Sequence, residues 1–185
     1  MDKRIAILDL LSNYAPTDPA EIESREKTLQ FIKANPECFE HHFPPGHVTG
    51  SALVVDSTLE YVLLNHHKKL DRWLHFGGHS DGHPIVHETA LREAMEESGL
   101  QSLKYHTNPP QLFDIDAHLI PEKGMMPEHV HYDIRYLLIA DKDEPYTVSV
   151  ESYDLKWVKV SEAHTYNEWP EFSRMIEKVR ALRPF

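Results

Sequence analysis

Residues 77–100, GGHSDGHPIVHETALREAMEESGL, decide how the rest of this 185-residue chain is read. At about 100° per residue, a helix through the second half gathers Arg92, Glu93, Glu96 and Glu97 within an arc of roughly 140°. Ala90, Leu91, Ala94, Met95 and Ser98 fill the opposite arc, which is small and apolar enough to pack closely. Glu93 and Glu97 are like charges at i,i+4, a pairing that costs a helix about 0.2–0.5 kcal/mol. Arg92 faces Glu96 at the same spacing, but one guanidinium cannot balance three carboxylates. A divalent cation can, and Mg²⁺ takes oxygen ligands, commonly one or two carboxylates together with substrate phosphates. Gly77, Gly78 and Gly82, three of the chain's seven glycines, precede the helix and allow backbone to approach a ligand closely. Pro84 is placed to be a first helical residue, and Gly99 fits the left-handed position that ends a helix.

This stretch resembles the Nudix box, G-x5-E-x7-R-E-U-x-E-E-x-G-U with U a bulky apolar residue. Gly78, Arg92, Glu93, Glu96, Glu97, Gly99 and Leu100 match at the required spacings. Pro84 stands where the pattern has its first Glu, and Ala94 is small for its apolar position. Asp81 and Glu88 are the nearby acids available to replace that Glu. The wider context, HVTGSALVVD, VLLNHHKKLDRWLHFGGHSDG and LFDIDAHLIPEKGMMPEHVHYDIRYLL, is similar to a bacterial Nudix subgroup with a GGHxDG loop. The resemblance implies an α/β fold, the Nudix-type α/β/α sandwich with a mixed sheet. It also implies Mg²⁺- or Mn²⁺-dependent hydrolysis of a nucleoside diphosphate linked to another moiety. By position, Glu93 and Glu97 become the main metal ligands, Glu96 a ligand to a second metal or bridging water, and the Gly78 carbonyl a further ligand. Arg92 orients a box carboxylate. The general base in such enzymes is often a glutamate on a later loop, here Glu151, with Glu93 or Glu96 as the fallback. His79, following the glycine pair, is a candidate for touching a substrate phosphate. The competing reading is a catalytically silent Nudix-like domain that binds a nucleotide and regulates a partner; Pro84 is its one mark.

Outward from the box, the chain divides into an N-terminal helical extension, residues 1–43, and a Nudix domain, residues 44–185. The extension carries Ile5, Leu8 and Leu11 at helical spacing. A second helix opens on Asp18-Pro19-Ala20-Glu21, an N-cap followed by Pro at N1 and Glu at N3. It runs to about Ala34 with Ile22, Leu29 and Ile32 inward. Such a pair caps the core, shapes a pocket or builds a homodimer, and the sequence leaves these open. Residues 48–56, 60–65 and 73–76 read as strands, rich in β-branched and aromatic side chains. Residues 103–106, 146–151 and 153–160 read likewise, and 167–182 as an amphipathic helix with Phe172, Ile176 and Val179 inward.

Residues 112–120 alternate, with Phe113, Ile115, Ala117 and Leu119 on one face and Asp114, Asp116 and His118 on the other. Residues 129–138 alternate again, setting His129, His131, Asp133 and Arg135 against Val130, Tyr132, Ile134 and Tyr136. Two such polar faces either line a cleft or face water; on the cleft reading Arg135 is a candidate for binding substrate. His79, His83 and His87 repeat every four residues, but Gly82 and Pro84 break any helix that would align them, which argues against a zinc site there.

A formal net charge of −11 argues against nucleic acid as partner, since that needs clustered Lys and Arg. It is compatible with a small phosphorylated molecule held through a cation. Cys38 is the single cysteine, so no intramolecular disulfide forms. The first residues lack the apolar core of a signal peptide, and no apolar run approaches the ~20 residues that span a membrane. The expected setting is the cytoplasm.

Overall fold

A strand buried on both faces reads as an unbroken run of small and apolar residues, and residues 46–56 are such a run. In the computed structural model, which describes residues 2–42, 44–122, 124 and 126–183, they form β1 (Gly46–Asp56), buried along its whole length. β1 pairs in parallel with β7 (His129–Ala140), in register from Gly46 opposite Val130 to Asp56 opposite Ala140. Along its other edge it pairs antiparallel with β4 (Phe76–His79), from Thr49 to Ala52, and with β2 (Tyr61–His67), at Val54 and Val55. β3 (Arg72–Leu74) and β8 (Ser152–Lys159) pair with β2. β5 (Lys104–Tyr105) and β6 (Leu112–Ile120) pair with β7. Among the described residues the product is one mixed, eight-stranded sheet.

Helices cover both faces. Side chains of α3 (Val86–Ser98), α1 (Ile5–Asn13) and α2 (Pro19–Ala34) join Val48, Ala52 and Val54 in one apolar cluster. Those of α4 (Pro170–Leu182) join Leu53, Val55 and Leu64 in another. The architecture is the expected α/β/α sandwich. Ile7, Leu11, Phe31 and Ile32 share the interior of the α3 face, and the Phe31 ring stacks on Tyr132 at 4.0 Å. The N-terminal helices therefore pack into the core rather than beside it; Phe43, where the expected extension ends, lies outside the described residues. α2 starts as its sequence dictates, the Asp18 carboxylate accepting from the Glu21 amide at 3.0 Å with Pro19 next in line.

Several expectations need correction. Ile5 and Ile22 are exposed, while Ile7 and Glu21 point inward, because the apolar spacing alone left the rotation of these helices undecided. The stretch 146–151 is not a strand: Val148 and Val150 are exposed and no core lies beneath them, and strand preference depends on such a surface. The expected strand 73–76 is two strands, β3 and β4, which pair with different neighbours. Leu119 is exposed, and Asp114 is fully buried.

At Asp114, Asp133 and Arg135 the polar faces of β6 and β7 are neither cleft nor solvent surface, while His118 stays partly exposed. Arg135 Nε donates to Asp133 at 2.7 Å and Nη1 to Asp114 at 3.2 Å, and Asp116 lies 3.4 Å from Nη2. Arg174 of α4 donates to both oxygens of Asp114 at 2.9 Å. Lys178 reaches Asp114 at 2.8 Å and also pairs with Glu21 of α2, which accepts from the Tyr14 hydroxyl as well. Burial opposes charge throughout, yet Arg135 holds the Asp133 carboxyl well below its usual range. Ion pairs of this kind survive burial only when each member is compensated. Replacing Asp114 with Ala removes the one carboxylate that Arg135, Arg174 and Lys178 share. The expected loss is about 3–5 kcal/mol, read from the urea midpoint; a loss under about 1 kcal/mol would show that the three cations find their compensation elsewhere.

Candidate active site

α3 is oriented by its apolar side. Val86, Ala90 and Ala94 are buried against the sheet, which leaves Arg92, Glu93, Glu96 and Glu97 along the opposite margin, beside β4 and β2. The helix begins at Val86 with Ile85 as N-cap, so Pro84 precedes it by two residues and is not its first residue. Gly99 ends it in the left-handed conformation, φ 72°, as expected.

Two box carboxylates are drawn into the protein. Glu93 lies against Gly78, where a Cβ would fall 2.4 Å from the Glu93 carboxyl carbon; a side chain there would push the carboxyl from its place. Glu97 accepts from the Gly77 amide at 3.2 Å and from the side-chain amide of Asn65 on β2. Burial pushes the Glu97 carboxyl up to about 7, against the opposing Gly77 hydrogen bond and with the negative charges of Glu93 and Glu151 adding to the rise. Burial raises Glu93 too, despite Arg92 beside it. Arg92 forms the site's hub, 2.7 Å from Glu93, 3.0 Å from Glu96 and 3.1 Å from the His79 carbonyl. Glu96 is exposed.

The residues present fit a hard divalent cation. The donors are oxygens, the glycine cradle brings Glu93 against the backbone of β4, and two neighbouring, partly buried carboxylates pay a charge penalty that a cation relieves.

The remaining candidates are dispersed. Glu151 is exposed in the turn before β8, not in a strand, and its charge reaches Glu97. The turn is pinned by Lys68, whose amide donates to the Glu151 carbonyl and whose ammonium donates to the Val150 carbonyl, both at 2.9 Å. The side chain of His79 points away from the box helix: Gly78 presents its Cβ direction to Glu93, and successive strand residues alternate. Arg135 is 2% exposed and enclosed by its carboxylates; the substrate-binding expectation is corrected, because no face of the guanidinium is open. Asp81 pairs with His41 at 2.6 Å, and Glu88 of α3 pairs with His83 of the preceding loop at 2.8 Å, so of the two acids Glu88 makes a contact between loop and helix. Asn65 is the site residue that sequence reasoning missed. Within an apolar strand a lone amide carries no motif, and only its place opposite Glu97 gives it meaning.

The family model of the NUDIX domain matches residues 45–179, well over half of the chain. No curated protein sequence matches it. Among solved structures, the chain is similar to a C. elegans Ap4A hydrolase at TM-score 0.58 and 17% identity, over 72% of this chain and 95% of that one. It is similar to a Nudix hydrolase from M. Smegmatis at TM-score 0.53 and 19% identity, over 75% and 88%. A third is the E. coli dihydroneopterin triphosphate pyrophosphohydrolase, at TM-score 0.51 and 13% identity, over 74% and 94%. At such identities the likeness is one of fold. Among the described residues no helix is long and apolar enough to cross a membrane.

A carboxyl raised in the folded state binds a proton that the unfolded chain has released. Between the ordinary 4.5 and about 7, Glu97 therefore makes the folded protein lose stability as pH rises. In chelator, the stability difference between Glu97→Gln and wild type is expected to shift in the variant's favour across this window. Parallel pH curves for the two proteins would show that the Glu97 carboxyl is not held in a charge-penalising place.

Proposed function

Because the chain belongs to the NUDIX domain family, and is a hydrolase on that footing, we propose that it cleaves a nucleoside diphosphate linked to another moiety, at the diphosphate, with Mg²⁺ or Mn²⁺. The observation that carries this reading is the pair of partly buried box carboxylates, Glu93 and Glu97, fixed against the glycine pair of β4. Glu93, Glu96, Glu97 and the Gly78 carbonyl would hold the cation, which when bound neutralises diphosphate charge, polarises phosphorus and lowers the pKa of an attacking water.

The chain's own groups do the positioning. The Gly77 amide and Asn65 fix the two oxygens of Glu97, so its orientation does not depend on a ligand. Arg92 holds Glu93 and Glu96 to one side of the helix and braces them on the His79 carbonyl. Glu151 is the proposed general base, accepting a proton from water at its carboxylate; it is exposed and stands within electrostatic reach of Glu97. A protein of net charge −11 repels polyanions at long range, which favours a small nucleotide bound through a cation over a nucleic acid.

The test is a panel of nucleoside triphosphates, dinucleoside polyphosphates and nucleotide sugars with Mg²⁺ or Mn²⁺, reading phosphate and nucleotide release. Glu97→Gln is expected to lower kcat on any turned-over member by about 10²–10³, as for removal of a group that stabilises developing charge. No turnover by wild type, with a nucleotide still raising the melting temperature, would replace hydrolysis with the silent, nucleotide-binding reading. Glu151→Gln is expected to lower kcat by about 10²–10⁴ with KM little changed, and to remove one limb of the pH–rate profile. An unaltered profile in that variant would move the base to Glu93 or Glu96.

A further inference from the structure

The sheet face away from α3 carries a second group of metal-binding side chains. His47 is the second residue of β1, His131 lies near the start of β7, and His79 ends β4. Strand pairing sets His47 opposite His131, and His79 opposite Thr49, two residues along β1 on the same face. The ring of His47 lies 4.7 Å from that of His131 and 4.9 Å from that of His79. One ring nitrogen from each of the three falls within 4.8 Å of the others.

His47 is the telling member. It is 1% exposed, and neither of its ring nitrogens has a hydrogen-bond partner among the described residues. Buried polar atoms are almost always paired, and exceptions call for a reason. The neighbouring histidines have partners: His41 on Asp81, His118 on Asp116, and His129 on the Pro127 carbonyl at 2.8 Å. His129 also stands 3.2 Å from the Nε2 of His131 and pins that ring, as outer groups commonly fix a ligating imidazole.

We propose that His47, His79 and His131 form a site for a first-row transition-metal cation of the Zn²⁺ type, on the face of the sheet opposite the box glutamates. Three imidazoles without a carboxylate suit Zn²⁺ or Co²⁺ and not Mg²⁺, and three His ligands leave a fourth position open for water or a ligand. Zn–N bonds of about 2.0–2.1 Å put tetrahedral ligands roughly 3.3 Å apart, so binding draws the rings inward by about an ångström or so. The site ties β1, β4 and β7 together at one end of the sheet. Its occupancy fixes the residue whose carbonyl braces Arg92, linking the two faces through one peptide. The proposal does not depend on hydrolysis by the box.

The test strips the full chain of metal with chelator and titrates it with Co²⁺, then Zn²⁺, in millimolar Mg²⁺. One equivalent of Co²⁺ is expected to give visible absorption of a nitrogen-ligated, low-symmetry centre, which one equivalent of Zn²⁺ abolishes. His47→Gln and His131→Gln are expected to weaken Zn²⁺ binding by at least about tenfold, while Glu97→Gln leaves it unchanged. Half-buried His79→Gln gives the same readout if the buried variants fail to fold. No Co²⁺ absorption by wild type, or Zn²⁺ binding that survives His79→Gln and is lost in Glu97→Gln, would overturn the proposal.

Discussion

The parallel register of β1 on β7 is the constraint on which the rest depends. Side chains alternate along a strand, so a slip of one residue would exchange every inward and outward position. In the observed register Gly50 faces α3 so closely that a Cβ there would lie 2.7 Å from the Val86 carbonyl oxygen. The helix that carries Glu93 and Glu97 can approach the sheet only because that residue has no side chain. On the other face the same register sets Thr49 and Ser51 beside Asp133, which accepts from their hydroxyls at 2.9 and 2.6 Å. One pairing thus settles how near the box helix lies and where the sheet's interior charges meet.

Those charges explain why an N-terminal helical pair belongs to this molecule. A strand with Asp133 and Arg135 on one face must either expose them or enclose them with partners. Enclosure draws in Asp114 and Asp116 from β6, Arg174 and Lys178 from α4, and finally Glu21 from α2 with Tyr14 after α1. Elements distant in sequence are joined by the need to compensate buried charge, a need that apolar contact alone does not impose. Such a network fixes which partners meet, because an approximate fit leaves an ion unpaired, and that costs far more than an imperfect apolar contact.

Much of this was legible in the sequence where local chemistry is decisive. The α2 start at Asp18 and Pro19, the α3 end at Gly99 and the core strand at residues 48–56 all follow from backbone rules. The box spacing placed Arg92, Glu93, Glu96 and Glu97 on one side of a helix, where they lie. What failed was non-local. The alternation in residues 112–120 holds only from Asp114 onward, because a bulge at Phe113 turns that ring to the α4 cluster while Ile115 joins the α3 cluster. An alternating polar face says nothing about whether water or a charged helix covers it, so Asp114 and Arg135 were misplaced. Residues 146–151 had strand composition and no surface to lie on. The histidines of interest were sought at i,i+4 along one segment, whereas strand pairing assembles His47, His79 and His131 from three. Asn65 had no signal at all.

Gly78 and His79 are adjacent residues that address opposite faces of one strand, and this separates two kinds of donor. The box carboxylates lie on the α3 side, and the imidazole nitrogens lie toward the other side. Hard cations such as Mg²⁺ gain little from imidazole, and Zn²⁺ is drawn to it. Two open metal sites of similar donors would exchange ions according to supply, but donors this different sort cations by chemistry. The separation is physical as well as chemical, since the sheet itself stands between them. What passes from one side to the other is mechanical: the His79 carbonyl that receives Arg92 belongs to the residue whose ring faces His47 and His131. Arg92 in turn contacts Glu93 and Glu96.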